Sequence, residues 1–329
     1  MSLAWHLPIN LLQMDKPEIS FVVPLYNEAK VFPLLIQRLN ALMASTPQPI
    51  EIVLVDDGSR DNTAQLMQFL ALEDDRYQCI FLSRNYGHQL ALSAGLSVAN
   101  ATQAVMIIDG DLQDAPELFF DFYQHYLKGY DVVYAVRKKR KEGFIKKVAY
   151  HAFYLLLRSV SYAEIPLDSG DFSLISRRVV NLLNQMPEES RFIRGMRSWI
   201  GFKQIGVEYD RQERAAGNSK YSIIMLFRLA YNGIFNFSKI PIKLITVLGI
   251  SSILLSLLYF GITLFRKFVY HDVPTGFTAL LFVMILFGGV QLVSLGVIGE
   301  YVLRIFFQVK NRPLFIIKNR IVDKKLIND

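Results

Sequence analysis

A chain of 329 residues, 52% of them apolar, is long enough for one large or two ordinary domains and is more apolar than one soluble globule requires. Its single cysteine, Cys79, excludes an intramolecular disulfide and a thiolate metal cluster; it fits a reducing compartment and reads as a small buried apolar residue. A formal net charge of +7 suits an anionic membrane surface or nucleic acid, so the placement of the charge has to decide between them.

Residues 1 to 18 form an N-terminal extension, and Met1 to Lys16 show no basic start followed by an apolar core, so no signal peptide is expected. Ile19 to Val23 is a strand-like run that ends at Pro24, with Tyr26-Asn27-Glu28 as a loop opening onto the helical pattern of Val31 to Met43. Ile50 to Val55 repeats the design, with Asp56-Asp57-Gly58-Ser59 at its end and a helix from about Asn62, which Asn62 or Ser59 can cap. Cys79 to Leu82 is a third strand, closed by Ser83-Arg84-Asn85-Tyr86-Gly87 and followed by a helix over Leu90 to Ala99. Val105 to Ile108 is the fourth, and its apolar run ends in Asp109-Gly110-Asp111-Leu112-Gln113-Asp114. Strands alternating with helices predict an α/β fold with a mostly parallel sheet, whose ligand site lies beyond the carboxyl ends of the strands.

No Gly-x-Gly-x-x-Gly follows the first strand and no Gly-x-x-x-x-Gly-Lys occurs, which argues against a dinucleotide or P-loop enzyme. The strand ends carry acids instead. Glu28, Asp56 and Asp57 can accept hydrogen bonds from a base or from ribose hydroxyls. Asp109 and Asp111, two residues apart, are hard oxygen donors suited to one divalent cation that also takes phosphate oxygens.

Asp131 to Val136 is a further strand that delivers the basic run Arg137 to Lys141, with Lys146 and Lys147 beyond it. Phe144 to Leu157 reads as a helix with an apolar side and basic residues at its start, the pattern of a segment lying in a membrane interface. Asp168-Ser169-Gly170-Asp171-Phe172 is a polar loop before the strand-like Ser173 to Ile175. Arg191, Arg194 and Arg197, spaced by three, share one side of a helix start; they repel unless an anion sits among them, and phosphate contact and a solvated face both stay open. Residues 220 to 243 suit interfacial amphipathic helices.

Leu244 to Phe265 and Phe277 to Gly299 are uncharged runs of 22 and 23 residues, each long enough to cross a hydrocarbon core. Between them residues 266 to 276 carry Arg266 and Lys267, whereas Arg228, Lys239, Lys243, Arg304, Lys310 and Arg312 flank the outer ends. This bias predicts a catalytic domain over residues 19 to 219 and both termini, including the tail 300 to 329, on the cytoplasmic side, with the short loop outside. Leu314 to Asp329 has no clear pattern. The spans favour lipid phosphate over nucleic acid as the anion for the basic residues.

Val22-Val23-Pro24-Leu25-Tyr26-Asn27-Glu28, Val55-Asp56-Asp57-Gly58-Ser59 and Asp109-Gly110-Asp111-Leu112-Gln113, in this order and spacing, resemble a family 2 glycosyltransferase with the GT-A fold. The loop at 168 to 172, Arg191 to Phe202 and Arg214 to Tyr221 look like the dolichol-phosphate mannose synthase group. With two spans at the C-terminal end, the chain most resembles bacterial polyprenyl-phosphate glucosyltransferases of the bactoprenol type. The resemblance implies that Pro24, Tyr26, Glu28 and Asp57, grouped here with Asp56 and Asn85, line the donor nucleotide pocket. It implies that Asp109, Asp111 and Gln113 surround Mg2+ or Mn2+, which neutralises the leaving diphosphate. The middle residue, Gly110, replaces the alanine often seen, and Asp114 stands where many relatives carry histidine, so no role is transferred to it.

The same resemblance points Arg137 at the acceptor phosphate, with Arg140, Arg191 and Arg194 as further acceptor-side candidates. It makes Asp168 a base or an acceptor-orienting group; a phosphate monoester is already largely ionised at neutral pH, which favours orientation. Arg214 to Tyr221 resembles a mobile loop whose Arg214 and Lys220 meet the donor diphosphate, although small Ala215 and Ala216 offer little bulk for closure. The expected reaction is metal-dependent, inverting transfer of glucose from UDP-glucose to polyprenyl (undecaprenyl) phosphate. Its rivals are GDP-mannose or an amino-sugar donor, a processive polysaccharide synthase, and a non-enzymatic membrane scaffold for nucleotide or lipid. A homo-oligomer is plausible on so thin an anchor.

Overall fold

The computed structural model describes residues 16–137, 169–189, 191–210, 240–270 and 276–328. The expectations at Arg140, Phe144 to Leu157, Asp168, Arg214, Lys220 and the interfacial stretch up to residue 239 lie outside these residues.

The sheet begins with the alternation read from the sequence: β1 (Ile19–Leu25), α1 (Phe32–Ser45), β2 (Ile50–Asp56), α2 (Thr63–Glu73), β3 (Tyr77–Leu82), α3 (His88–Val98) and β4 (Ala104–Ile107). These four strands lie side by side in the order β4-β1-β2-β3, all parallel and buried throughout, as continuous apolar runs demand when helices cover both faces. β1 continues one residue past Pro24, and the Leu25 carbonyl accepts the Asp57 N–H (2.9 Å), which ties the ends of β1 and β2 together.

A mostly parallel sheet is only half of what forms. A short 3₁₀ turn and α4 (Phe119–Leu127) lead to β5 (Val132–Arg137). The chain later resumes with β6 (Ser169–Ser176), α5 (Arg177–Gln185), α6 (Ile193–Ile200) and β7 (Gln204–Tyr209). β6 runs antiparallel between β4 and β5, and β7 is parallel to β5. The reversal has a functional consequence. An antiparallel strand starts at the edge where its parallel neighbours end, so Gly170 and Asp171 enter the sheet beside the end of β4, and Arg137 leaves it at the same edge.

Two long helices follow, α7 (Ile240–Tyr270, 31 residues) and α8 (Phe277–Lys310, 34 residues). At 1.5 Å per residue they are about 47 and 51 Å long, well beyond a hydrocarbon core of about 30 Å. By length and composition Pro241–Val269 and Phe282–Lys310 can cross a membrane. Their apolar side chains are exposed in the isolated chain (Leu255 66%, Leu292 72%), which requires an apolar surrounding such as lipid acyl chains.

Both helices outlast the uncharged runs. The last turns of α8 carry a Glu300–Arg304 ion pair (2.8 Å), and Gln308 donates to the Pro187 carbonyl (2.6 Å) while accepting the Glu189 N–H (3.4 Å). The unassigned tail then returns to the sheet: β8 (Ile317–Val322) pairs antiparallel with β3, and β9 (Lys325–Ile327) with β8, completing nine strands in the order β7-β5-β6-β4-β1-β2-β3-β8-β9. Ile321 is fully buried in the core, and Ser83 N–H bonds to the Ile316 carbonyl (3.0 Å). The chain thus leaves this sheet before the first long helix and rejoins it after the second. Cys79 is fully buried and donates to the Met67 carbonyl (3.3 Å), with its thiol pushed up by burial, as a packing residue should be.

Candidate active site

The turns after β4, β1, β2 and β3 line one edge of the sheet. At about 4.8 Å between neighbouring strands, the end of β4 and the end of β2 stand about 10 Å apart, the scale of a nucleoside diphosphate.

The loops after β1, β2 and β3 are knitted to one another. Asn27 takes a left-handed backbone (φ 54°), donates its N–H to Ser59 Oγ (3.0 Å) and accepts the Arg60 N–H on its side-chain carbonyl (2.7 Å). Glu28 N–H bonds to Thr63 Oγ1 (2.9 Å), while the Glu28 carbonyl accepts the Val31 and Phe32 N–H groups that begin α1. Asn62 and Ser59 make no side-chain cap on α2; Asp61 does that work, accepting the Thr63 N–H (3.0 Å) and hydroxyl (2.5 Å). Asp56 accepts the Ser59 N–H on its own turn, and burial raises its pKa. Asp57, 3% exposed, holds the turn after β3: it accepts the Tyr86 N–H (2.7 Å), the Gly87 N–H (3.0 Å) and the Asn85 amide (3.0 Å). Three of about four acceptor sites on that carboxylate are taken within the turn. Asn85 thereby acts through Asp57, its amide being spent there.

Asp109 and Asp111 follow β4 after the single residue Ile108. Leu112 sits in the left-handed region (φ 57°), uncommon for a branched residue and of the kind that marks functional turns. Asp111 accepts the Gln113 N–H (3.1 Å), which orients its carboxylate. Gly110 packs so closely that a Cβ there would lie 2.3 Å from Leu25 Cδ2. Asp109 faces the imidazole of His88, whose Nε2 is 3.5 Å from Asp109 Oδ1 and 3.6 Å from Asp171 Oδ2. Desolvation, together with the nearby charges of Asp114, Asp111 and Asp171, raises the Asp109 pKa to about 6 against the opposing pull of His88. Desolvation would lower His88, but Asp171 and Asp109 outweigh it and hold the imidazole at about 9. Asp171 is held well below the carboxylate range: burial opposes its charge, and Arg194, His88 and Arg197 override it.

Acceptor-side expectations divide. Arg137, at the end of β5, lies with its guanidinium beside Gly170 and meets the Tyr209 hydroxyl, which donates to buried Asp114. Arg194 pairs with Asp171 (Nε to Oδ1, 3.4 Å). Arg191 departs from the expected shared face. It precedes α6, is 8% exposed, and spends its guanidinium on the Leu183 carbonyl (2.8 Å), the Met186 carbonyl (2.7 Å) and Ser93 Oγ (3.2 Å), so it braces the core and offers nothing to a phosphate. The anion expected between the arginines is a protein carboxylate, Asp171. Arg197, 1% exposed, donates to the Gly170 carbonyl (3.0 Å), and burial lowers its pKa to about 10 against the pull of Asp171.

Residues 20–183 match the family model described as glycosyl transferase family 2. The chain is 42% identical over 315 residues to the uncharacterized glycosyltransferase YkcC of Bacillus subtilis, covering 95% of this chain and 97% of that protein. The chain belongs to glycosyltransferase family 2. It is also 37% identical over 302 residues to the SfII prophage-derived bactoprenol glucosyl transferase of Shigella flexneri, covering 92% of this chain and 97% of that one. Mannosyl-3-phosphoglycerate synthase from Rubrobacter xylanophilus superposes with a TM-score of 0.47 at 20% identity, over 66% of this chain and 72% of that one. This family 2 glycosyltransferase has the GT-A fold, and its matched segment runs from β1 into α5, spanning every strand end described above except those of β7 and the C-terminal strands.

The sequence reading missed His88, Gln89, Asp171, Tyr209 and Asp114 as members of this site. Asp171 stood inside a motif already noted, and His88 directly follows the Ser83 to Gly87 turn; the helix read from Leu90 starts two residues earlier.

The site's chemistry fits a divalent cation. Among the described residues no group of three or more His, Cys, Asp and Glu stands ready to enclose a metal. Asp109 and Asp111, with Asp114 and Asp171 near, instead offer hard oxygen donors suited to an ion completed by phosphate and water.

Proposed function

We propose that this glycosyltransferase moves glucose from UDP-glucose to a polyprenyl phosphate at the cytoplasmic face of the membrane, with inversion at the anomeric carbon. One observation carries the reading: a carboxylate edge fit for a nucleoside diphosphate belongs to a chain with two apolar helices that is similar, across nearly its whole length, to a bactoprenol glucosyl transferase.

Asp57, with the loops after β1 and β3, takes the nucleotide. Asp109, Asp111 and Gln113 are the residues that would hold a divalent cation, Mg2+ or Mn2+, and its chemistry there is to neutralise charge on the departing diphosphate. Arg137 meets the acceptor phosphate, whose oxygen is already ionised and needs no base. That oxygen forms the new bond to the anomeric carbon as the bond to the diphosphate oxygen breaks, so catalysis comes from positioning and electrostatics. The basic flanks of the helices, by the positive-inside rule, support the cytoplasmic assignment.

Competition in detergent tests the donor. UDP should displace a fluorescent UDP-sugar analogue in a divalent-cation-dependent manner that EDTA abolishes, and GDP should not compete; preferential displacement by GDP would move the reading to a mannosyl donor.

A further inference from the structure

We infer that Asp171 is a positioning residue that joins the start of β6 to the starts of α3 and α6, an inference that rests on the proposed transfer only for what is being positioned. Two segments converge on its carboxylate. The first turn of α3 supplies His88 and Gln89, whose Nε2 donates to Asp171 Oδ2 at 2.7 Å. The first turn of α6 supplies Arg194. Asp171 itself stands near the start of β6, which Arg197 clamps through the Gly170 carbonyl.

Gln89 closes the arrangement. Its Oε1 accepts the Ile193 N–H at 2.8 Å, and because a backbone N–H can only donate, the amide must turn its Nε2 toward Asp171. One side chain therefore bridges Asp171 to the start of α6.

Asp171 is 7% exposed; its Oδ2 accepts the Gln89 amide and its Oδ1 lies in an ion pair with Arg194 without a hydrogen bond, so the carboxylate is held between fixed partners. What it does fix is geometry. Gly170 sits against the Arg137 guanidinium, and His88 sits against Asp109. A shift of Asp171 thus changes the spacing between Arg137 on the acceptor side and Asp109 on the donor side.

Gln89→Glu and Asp171→Asn test this in the full-length chain in detergent, with turnover, both KM values, nucleotide affinity and amide hydrogen exchange measured on each. Gln89→Glu keeps the acceptor for Ile193 and sets a carboxylate against Asp171; Asp171→Asn keeps shape and removes charge. Positioning predicts a fall in kcat of about 10- to 100-fold, a raised acceptor KM, unchanged nucleotide affinity, and faster exchange at residues 169 to 173 and 193 to 196 together. An unchanged kcat, or activity lost only in proportion to the folded fraction, would overturn it. If the wild type transfers no sugar from any donor, the proposed function fails by itself. Exchange then still decides: joint loosening of the two segments upholds the clamp, and unchanged exchange refutes it.

Discussion

Asn85 donates its side-chain amide to both the carbonyl and the carboxylate of Asp57, at 3.1 and 3.0 Å, so the turn after β3 and the end of β2 form one unit. Asn85→Ala removes two bonds, one to a charged acceptor, and should destabilise the domain by about 1 to 3 kcal/mol. Because the proposed function places Asp57 in the donor pocket, the donor KM should rise more than the acceptor KM. Steady-state kinetics in both substrates check this, and equal rises would place Asn85 outside the donor pocket.

Gly58 touches the same turn from below. Its φ is +68°, and a Cβ there would stand 2.6 Å from the Arg84 carbonyl carbon and the Asn85 nitrogen, both backbone. Gly58→Ala therefore incurs strain and a contact no side chain can relieve, and should cost about 1 to 3 kcal/mol. Denaturant midpoints and nucleotide affinity should fall together; an unaltered midpoint would contradict the close approach.

The C-terminal strands are part of the catalytic core. Ile321→Ala, at a fully buried position paired with Cys79, should lower stability by about 2 to 4 kcal/mol, read as an earlier unfolding transition of the whole catalytic domain. A tail independent of that domain would give no shift.

Asp171 links stability to pH. Its folded pKa is depressed, chiefly by Arg194 and His88 against the opposing effect of burial, so its contribution is complete above the unfolded carboxyl pKa of about 3.9 and shrinks as pH falls below it. The stability advantage of wild type over Asp171→Asn should be full at neutral pH and narrow in acid. Denaturation at several pH values checks the sign; an advantage that grows in acid would contradict it.

The four parallel strands were legible because each is an uninterrupted apolar run ending in polar residues, and so were two helices long and apolar enough to span. Strand pattern alone does not name a partner, which is why the antiparallel insertion of β6 and the return of β8 to β3 were not legible. The meeting of His88, Asp109 and Asp171 depends on that reversed strand, and no local spacing encodes it. Arg191 shared its spacing with Arg194 and Arg197, but a helix that begins at Ile193 leaves it outside the turn.

The most direct test of the account is transfer of radiolabelled glucose from UDP-glucose to undecaprenyl phosphate by the purified full-length chain, with and without EDTA. The account predicts a single lipid-linked monosaccharide, formed only when a divalent cation is present and lost in Asp111→Ala. Polymeric product, or no lipid product from folded protein supplied with the cation, would contradict it.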